Sequence, residues 1–167
     1  GSGWSTNIPT FNPSDLIAIC GQCADAVTNQ QDIAAIPIPD LLPYTEGSSG
    51  KVYKLEDGTF VFEGVATVDE QDGRRVYITE LPPRKWNKDY LKFLQTLPDI
   101  LDCKEEHTDE LVRFNLLFKN DMRNVDLIDV LKLKSTIRTT NMHAFSDGKL
   151  FKWTIPEIIF HHAECRL

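Results

Sequence analysis

One segment of this 167-residue chain combines cationic and hydroxyl side chains at strand-like spacing. Residues 131–142 read LKLKSTIRTTNM, so that Lys132, Lys134 and Arg138 alternate with hydroxyl and apolar residues. Cations supply affinity for phosphate, while hydroxyls and amides add hydrogen bonds to a nucleic-acid backbone. The candidate nucleic-acid contacts are therefore consecutive: Lys132, Leu133, Lys134, Ser135, Thr136, Ile137, Arg138, Thr139, Thr140 and Asn141.

A second segment, residues 80–86, reads ELPPRKW and places an aromatic ring among cations. Trp86 follows Arg84 and Lys85, and Lys88 comes shortly after it. Tryptophans in a protein core are usually bracketed by apolar residues, so we expect Trp86 to lie on the surface beside Arg84. Trp86 is thus a second candidate nucleic-acid contact.

A purely structural role is the alternative for the first segment. Leu131, Leu133 and Ile137 would face a core while the cations covered an ordinary solvated face, and composition alone favours this interpretation. In either case, side chains two apart in a strand share a face. We therefore predict one exposed ridge of Lys134, Thr136 and Arg138, with the intervening residues turned toward the packed side.

The composition predicts one soluble globular domain, with 41% hydrophobic and 26% charged residues. The longest apolar runs are too short to span a bilayer and the N-terminus lacks a signal-peptide pattern, so no membrane partner is expected. A net charge of −7 argues against a free-standing DNA-binding domain. It leaves room for a local basic strip, because charges act over a Debye length of about 8–10 Å.

Cys20 and Cys23 have the spacing of a metal-binding pair, and His161, His162 and Cys165 could be proposed as further ligands. A second closely spaced pair is missing, however, and adjacent histidines on a helix point about 100° apart. Free cysteines on a helix are commonly buried. We therefore expect reduced structural thiols in an intracellular compartment and no metal site.

Capping and turn signals predict a mixed order of helices and strands, described as α+β or mixed α/β. Asn12 and Pro13 begin a helix that runs to about Val27. The other predicted elements are strands at Lys51–Leu55, Phe60–Val68, Arg75–Glu80 and Leu111–Lys119, a helix from Trp86 or Asn87 to Leu97, a short helix at Val125–Val130, a hairpin of Lys132–Met142 with Ala144–Phe151, and a helix from Pro156.

Five motifs, in this order, resemble those of type IIA DNA topoisomerases of the eukaryotic kind. The family's patterns are G-T-G-W-S-x-x-I-P-x-x-N-P, E-L-P-x-R-x-W, Y-H-T-D, K-L-x-x-x-L-x-x-x-x-M and the stretch before its coiled-coil arm. The matching segments are Gly1–Pro13, Glu80–Trp86 with Tyr90 beyond it, Glu106–Asp109, Lys132–Met142, and Asp147–Lys149 with Lys152 and Pro156–Ile158.

The resemblance implies that the chain is the tower domain of such an enzyme, with a largely antiparallel mixed sheet and flanking helices. Its parts would be residues 1–45 (helix and proline-rich connection), 46–155 (sheet and helices) and 156–167 (start of the helix leading to the coiled coil). The tower would support and bend the double-stranded DNA that the enzyme cuts. The full-length enzyme would be a homodimer using ATP and Mg²⁺, with neither cofactor bound by this part.

The resemblance assigns no catalytic residue to this chain. The family's nucleophilic tyrosine follows an arginine, and none of Tyr44, Tyr53, Tyr77 and Tyr90 does so here. Pro83 departs from the family's small or aliphatic residue, and shorter loops resemble viral or early-branching enzymes. The expected location is the nucleus, or the host cytoplasm or viral factory for a viral enzyme. The alternative function is a non-enzymatic protein-interaction module that uses Trp86 and the acidic surface.

Overall fold

The computed structural model describes residues 5–108 and 112–166 and divides the chain into two units. Unit 1 contains the residues up to Glu46, Glu56–Phe60 and the residues from Ile137 onward. Unit 2 contains Gly47–Leu55 and Val61–Thr136. The assignment of the whole chain to one tower domain, with parts ending at residues 45 and 155, stays a prediction.

Helices and strands alternate in the mixed order that the sequence predicts, which confirms the α+β class. The helices are α1 Pro13–Thr28, α2 Asn87–Thr96, α3 Leu127–Val130 and α4 Ile155–Arg166, with a 3₁₀ turn at Ile33–Ala35. The strands are β1 Val52–Lys54, β2 Phe60–Glu63, β3 Val65–Val68, β4 Arg75–Glu80, β5 Ile100–Glu105, β6 Phe114–Phe118, β7 Lys134–Ile137, β8 His143–Ser146 and β9 Lys149–Lys152. No helix in the described residues is long and apolar enough to cross a bilayer.

Unit 2 is built on a four-stranded sheet in the order β3-β4-β6-β5, with antiparallel neighbours throughout. Val76 lies opposite Leu116 and Ile78 opposite Phe114, and all four side chains are buried. Alternation along β4 and β6 puts these residues on one face, where they form the core of the unit.

Helix α2 packs on that core because two residues one turn apart are apolar. Tyr90 and Leu94 have the i, i+4 spacing that places side chains on one helical face, and both are buried in the core. Leu131 and Leu133, on either side of Lys132, are fully buried in the same cluster. The sheet core therefore anchors both candidate segments.

Unit 1 has a separate core between α1 and α4. Asn12 caps α1 by accepting a hydrogen bond from the Ser14 N–H at 2.9 Å, as predicted. Ile19 and Cys23 of α1 pack with Ile159 and Ala163 of α4. The hairpin of β8 and β9 turns at Asp147 and Gly148, both in the left-handed region.

Three predictions about strands were wrong. Phe60–Val68 is not one strand, because β2 ends before Gly64 and β3 belongs to a different sheet. Strand β5 was missed, since its mixture of polar and apolar residues gives a weak pattern. Lys132–Met142 is a strand only over Lys134–Ile137, which pairs beside β2, and the last hairpin is formed by β8 and β9 alone.

Candidate nucleic-acid interface

Trp86 lies on the surface, as predicted. It occupies the N-cap position of α2, and 75% of its surface is exposed. Its backbone carbonyl accepts a hydrogen bond from the Tyr90 N–H at 2.9 Å, the first bond of the helix. Helix α2 thus fixes the backbone of Trp86 while the indole ring remains open to solvent.

The structure brings the two sequence segments together in unit 2. The loop before α2 and the turn after α3 line one concavity of about 260 Å³. Its lining combines three cations, three aromatic rings and one carboxylate: Arg84, Lys85, Trp86, Asp89, Tyr90, Phe93 and Lys132. We call this set the cationic–aromatic surface. Nothing in the linear sequence shows that segments about fifty residues apart meet here.

Three consecutive carbonyl groups hold the turn at Lys132 in place. The Leu131 carbonyl accepts a hydrogen bond from the Tyr90 hydroxyl at 2.7 Å, and the Lys132 carbonyl accepts one from the Lys85 ammonium group. The Leu133 carbonyl accepts from the Gly64 N–H at 2.8 Å. Three different elements therefore fix the direction in which Lys132 leaves the backbone.

Both lysines of this surface lie over aromatic rings. The Lys85 Nζ is 5.8 Å from the centroid of the Tyr90 ring, and the Lys132 Nζ is 5.2 Å from that of Phe93. Such contacts stabilise a cation by about 0.5–1 kcal/mol at exposed sites. They hold the ammonium groups next to the exposed Arg84, where like charges would otherwise drive the side chains apart.

Burial determines the protonation of two groups at this surface. It lowers the pKa of Lys85, and the neighbouring charge of Lys132 lowers it further. Burial also raises the pKa of the Tyr90 hydroxyl, with a smaller contribution from Cys103. Tyr90 therefore stays protonated and acts as a hydrogen-bond donor to the backbone, which does not suit a nucleophile.

Strand β7 shows the predicted alternation, although one of its cations is paired. Lys134 and Thr136 are exposed, while Ser135 is half-buried. The Lys134 Nζ lies 3.7 Å from a carboxylate oxygen of Glu63, which also accepts a hydrogen bond from Tyr53 at 3.2 Å. The pKa of Lys134 is raised chiefly by Tyr53 and also by Glu63. This carboxylate offsets part of the positive field that the sequence indicated.

Leu133 is a correction to the proposed contacts. Its side chain is fully buried, its N–H donates to the Ile128 carbonyl at 2.9 Å, and its carbonyl accepts from Gly64. Neither the side chain nor the N–H is therefore available to a nucleic acid. Ile137 is half-buried on the same side of the alternation as Ser135, so its role is also in packing.

The remaining candidates, Arg138 to Asn141, belong to unit 1. The Thr139 hydroxyl donates to the Gly58 carbonyl at 3.3 Å, and the Asn141 side chain donates to Ser5 at 3.3 Å. Arg138 and Thr140 are exposed. These residues close a turn within unit 1 and do not continue the strand, so whether they contact a nucleic acid stays a prediction.

The other candidate groups form local contacts. His107 accepts a hydrogen bond from the Arg113 N–H at 3.0 Å and lies 3.3 Å from Glu105, whereas its predicted partner Asp109 is outside the described residues. Cys23 is buried, and burial raises the pKa of its thiol. No group of three or more histidine, cysteine or acidic side chains that could hold a metal occurs in the described part of the chain.

Phe93 was missed by the sequence analysis, and Lys85 was not included among the predicted contacts. Phe93 lies three residues after Tyr90, and i, i+3 spacing puts both rings on one side of a helix. That signal was present in the sequence. The bond from Lys85 to the Lys132 carbonyl depends on tertiary structure and left no local signal.

Fold and site together define a mixed α+β domain that presents a rigid cationic and aromatic surface of the kind that suits phosphate. The sequence profile of the DNA gyrase/topoisomerase IV family, in its A-type form, matches residues 1–167. The chain belongs to this family.

Individual relatives agree with this assignment. DNA topoisomerase 2 of Caenorhabditis elegans is 35% identical over 95% of this chain, and that of Arabidopsis thaliana is 31% identical over 95%. A crystal structure of the Plasmodium falciparum topoisomerase II DNA-binding, cleavage and re-ligation domain superimposes with a TM-score of 0.81 at 27% identity, covering 99% of this chain and 23% of that one. The chain spans only 11% of the length of each of the first two relatives.

Proposed function

We propose that this chain is the DNA-binding tower part of a type II DNA topoisomerase, an isomerase that passes one duplex through a transient double-strand break in another. In this proposal the chain supports the cleaved segment, and the cleavage chemistry lies elsewhere in the enzyme. The family membership and the likeness to a DNA-binding, cleavage and re-ligation domain support it.

The observation that carries the proposal is the meeting of two distant segments in one cationic–aromatic surface. Arg84 and Lys132 are exposed cations on a backbone held by tertiary hydrogen bonds. Trp86 adds an exposed ring beside them. Such a surface recognises phosphate and sugar without reading base sequence. It does not suit a protein-interaction module, for which charged residues are depleted at the centre of the interface.

The full-length enzyme is proposed to be a homodimer that uses ATP for strand passage and Mg²⁺ for cleavage. Mg²⁺ would stabilise the charge that develops on the cleaved phosphate. Neither cofactor is proposed to bind to this chain. The nucleus, or a viral factory for a viral enzyme, remains the proposed location.

The test is a fluorescence-anisotropy titration of a labelled duplex at several salt concentrations. Arg84→Ala and Lys132→Ala are expected to weaken binding equally for unrelated duplex sequences and to reduce the salt slope by about 0.9 for each lost phosphate contact. Lys119→Ala is the matched control, because Lys119 is an exposed lysine of unit 2 outside the concavity. Unchanged affinity and salt slope in both variants would reject this surface as a DNA contact.

A further inference from the structure

Lys85 differs from the two residues beside it in the direction of its side chain. Arg84 and Trp86 are exposed, whereas Lys85 is half-buried and its ammonium group donates to the Lys132 carbonyl. The same group lies over the Tyr90 ring. The cation of Lys85 is therefore already engaged inside the unit, although composition alone would count it with the phosphate-binding cations.

Lys132 needs an external donor to keep its conformation. Its φ of 49° lies in the left-handed region, which side chains other than those of glycine and asparagine seldom adopt. Leu131 and Leu133 are held by burial and by donors from Tyr90 and Gly64. Between them, the carbonyl of Lys132 has Lys85 as its donor, so loss of Lys85 would release this peptide alone.

We propose that Lys85 is a positioning residue, whose ammonium group holds the backbone of Lys132 so that the two segments bind a DNA backbone as one site. This inference rests on the proposed function. Lys85 itself does not contact phosphate. Arg84 and Lys132 are the contacting cations, and Lys85 sets their relative placement.

Energetic cost supports a structural role for this lysine. Burial and the charge of Lys132 both lower the pKa of Lys85, which means that its cation is less favourable here than in water. A cation placed only to bind phosphate would be better solvated and farther from a like charge. The hydrogen bond to a carbonyl and the contact with an aromatic ring offset this cost.

The test is a double-mutant cycle on the 167-residue chain, read by duplex binding. Lys85→Met keeps the apolar stem and removes the ammonium group, and Lys132→Ala removes the contacting cation without changing the backbone preference toward glycine. We expect Lys85→Met alone to weaken binding by roughly 3- to 10-fold, since a hydrogen bond to a charged group is lost. In the Lys132→Ala background the same change should cost less than about twofold, because coupled residues are not additive.

The salt slope and hydrogen exchange separate positioning from direct contact. In the Lys132→Ala background, Lys85→Met should leave the slope unchanged, whereas a direct contact would reduce it by about 0.9. Exchange of the Lys132 amide should accelerate in Lys85→Met, because the peptide is released. Lys85→Arg, which retains a charged donor, should restore its protection, and Lys119→Met should behave like the unaltered chain.

Two results would overturn the inference in different ways. If Lys85→Met is additive with Lys132→Ala and lowers the slope again, Lys85 is a phosphate ligand and only its positioning role is wrong. If Arg84→Ala and Lys132→Ala leave affinity unchanged, the surface does not bind DNA. In that case the proposed function and the inference fall together.

Discussion

Substitution of Gly64 by alanine should disturb both the core and the cationic–aromatic surface. A Cβ atom at this position would lie 2.4 Å from the Glu80 carbonyl oxygen, 3.1 Å from the Pro82 ring and 3.3 Å from a methyl group of Leu133. The nearest of these atoms is backbone, so rotation of a side chain cannot relieve the contact. Glycine is required here for space and not for conformation.

The magnitude follows from two opposing contributions. A contact of 2.4 Å with an oxygen atom must open by several tenths of an ångström, and overpacking of this kind costs about 1–3 kcal/mol. Because backbone must move, we take the upper half of that range. Alanine restricts the unfolded chain and returns about 0.4–1 kcal/mol. We therefore expect a net loss of about 1–2 kcal/mol in the free energy of unfolding.

The assay is urea denaturation followed by fluorescence, with Gly21→Ala as the matched control. Gly21 lies within α1, and a Cβ atom there would meet nothing within 4 Å. That variant should gain about 0.5–1 kcal/mol from helix propensity. Gly64→Ala should also weaken duplex binding, since the Gly64 N–H holds the Leu133 carbonyl beside Lys132. A Gly64→Ala variant as stable as the unaltered chain would refute the steric reasoning.

Three further predictions concern exposed or paired side chains. Trp86→Ala should change stability by less than about 0.5 kcal/mol because its ring is 75% exposed, yet weaken duplex binding by about 1 kcal/mol or more in anisotropy titrations; a loss of stability without a loss of affinity would contradict its role. Lys134→Ala and Arg138→Ala should weaken binding to all duplex sequences alike, and Glu63→Gln should strengthen it at low salt by freeing Lys134, so an unchanged affinity in Glu63→Gln would show that the pair does not matter. Burial raises the pKa of Glu80, but hydrogen bonds from the loop before β1 outweigh it and leave the pKa lowered; a lowered folded-state pKa adds stability above the unfolded value that disappears as pH falls through the folded value, so urea midpoints should fall below about pH 4 in the unaltered chain and less in Glu80→Gln.

The local elements were predictable where a short-range signal specifies them. Asn12 and Pro13 predicted the start of α1, and charged neighbours predicted the exposure of Trp86. The break at Gly64 was not predictable, because glycine inside an apolar run is compatible with a continuous strand. The reason for the break is the approach of Glu80 and Leu133, which only the folded chain brings near.

The candidate site was predictable in its residue types and not in its arrangement. The alternation of cations correctly indicated that Lys134 and Thr136 are exposed. Sequence could not show that Glu63, some seventy positions earlier, neutralises part of the charge of Lys134. Nor could it show that the chain turns after Ile137 and carries Arg138 into a different unit. Pairing and turning both depend on contacts distant in sequence.

Rigidity of the cationic–aromatic surface originates in the core beneath it. The two leucines that flank Lys132 are fully buried, and burial of each stabilises the fold by about 1.5–3 kcal/mol. Tyr90 belongs to the same core and donates to the backbone of the turn. A surface held in this way loses little conformational entropy when a ligand binds. An acidic chain with a net charge of −7 can therefore gain affinity for a polyanion from placement of a few cations, without a general excess of positive charge.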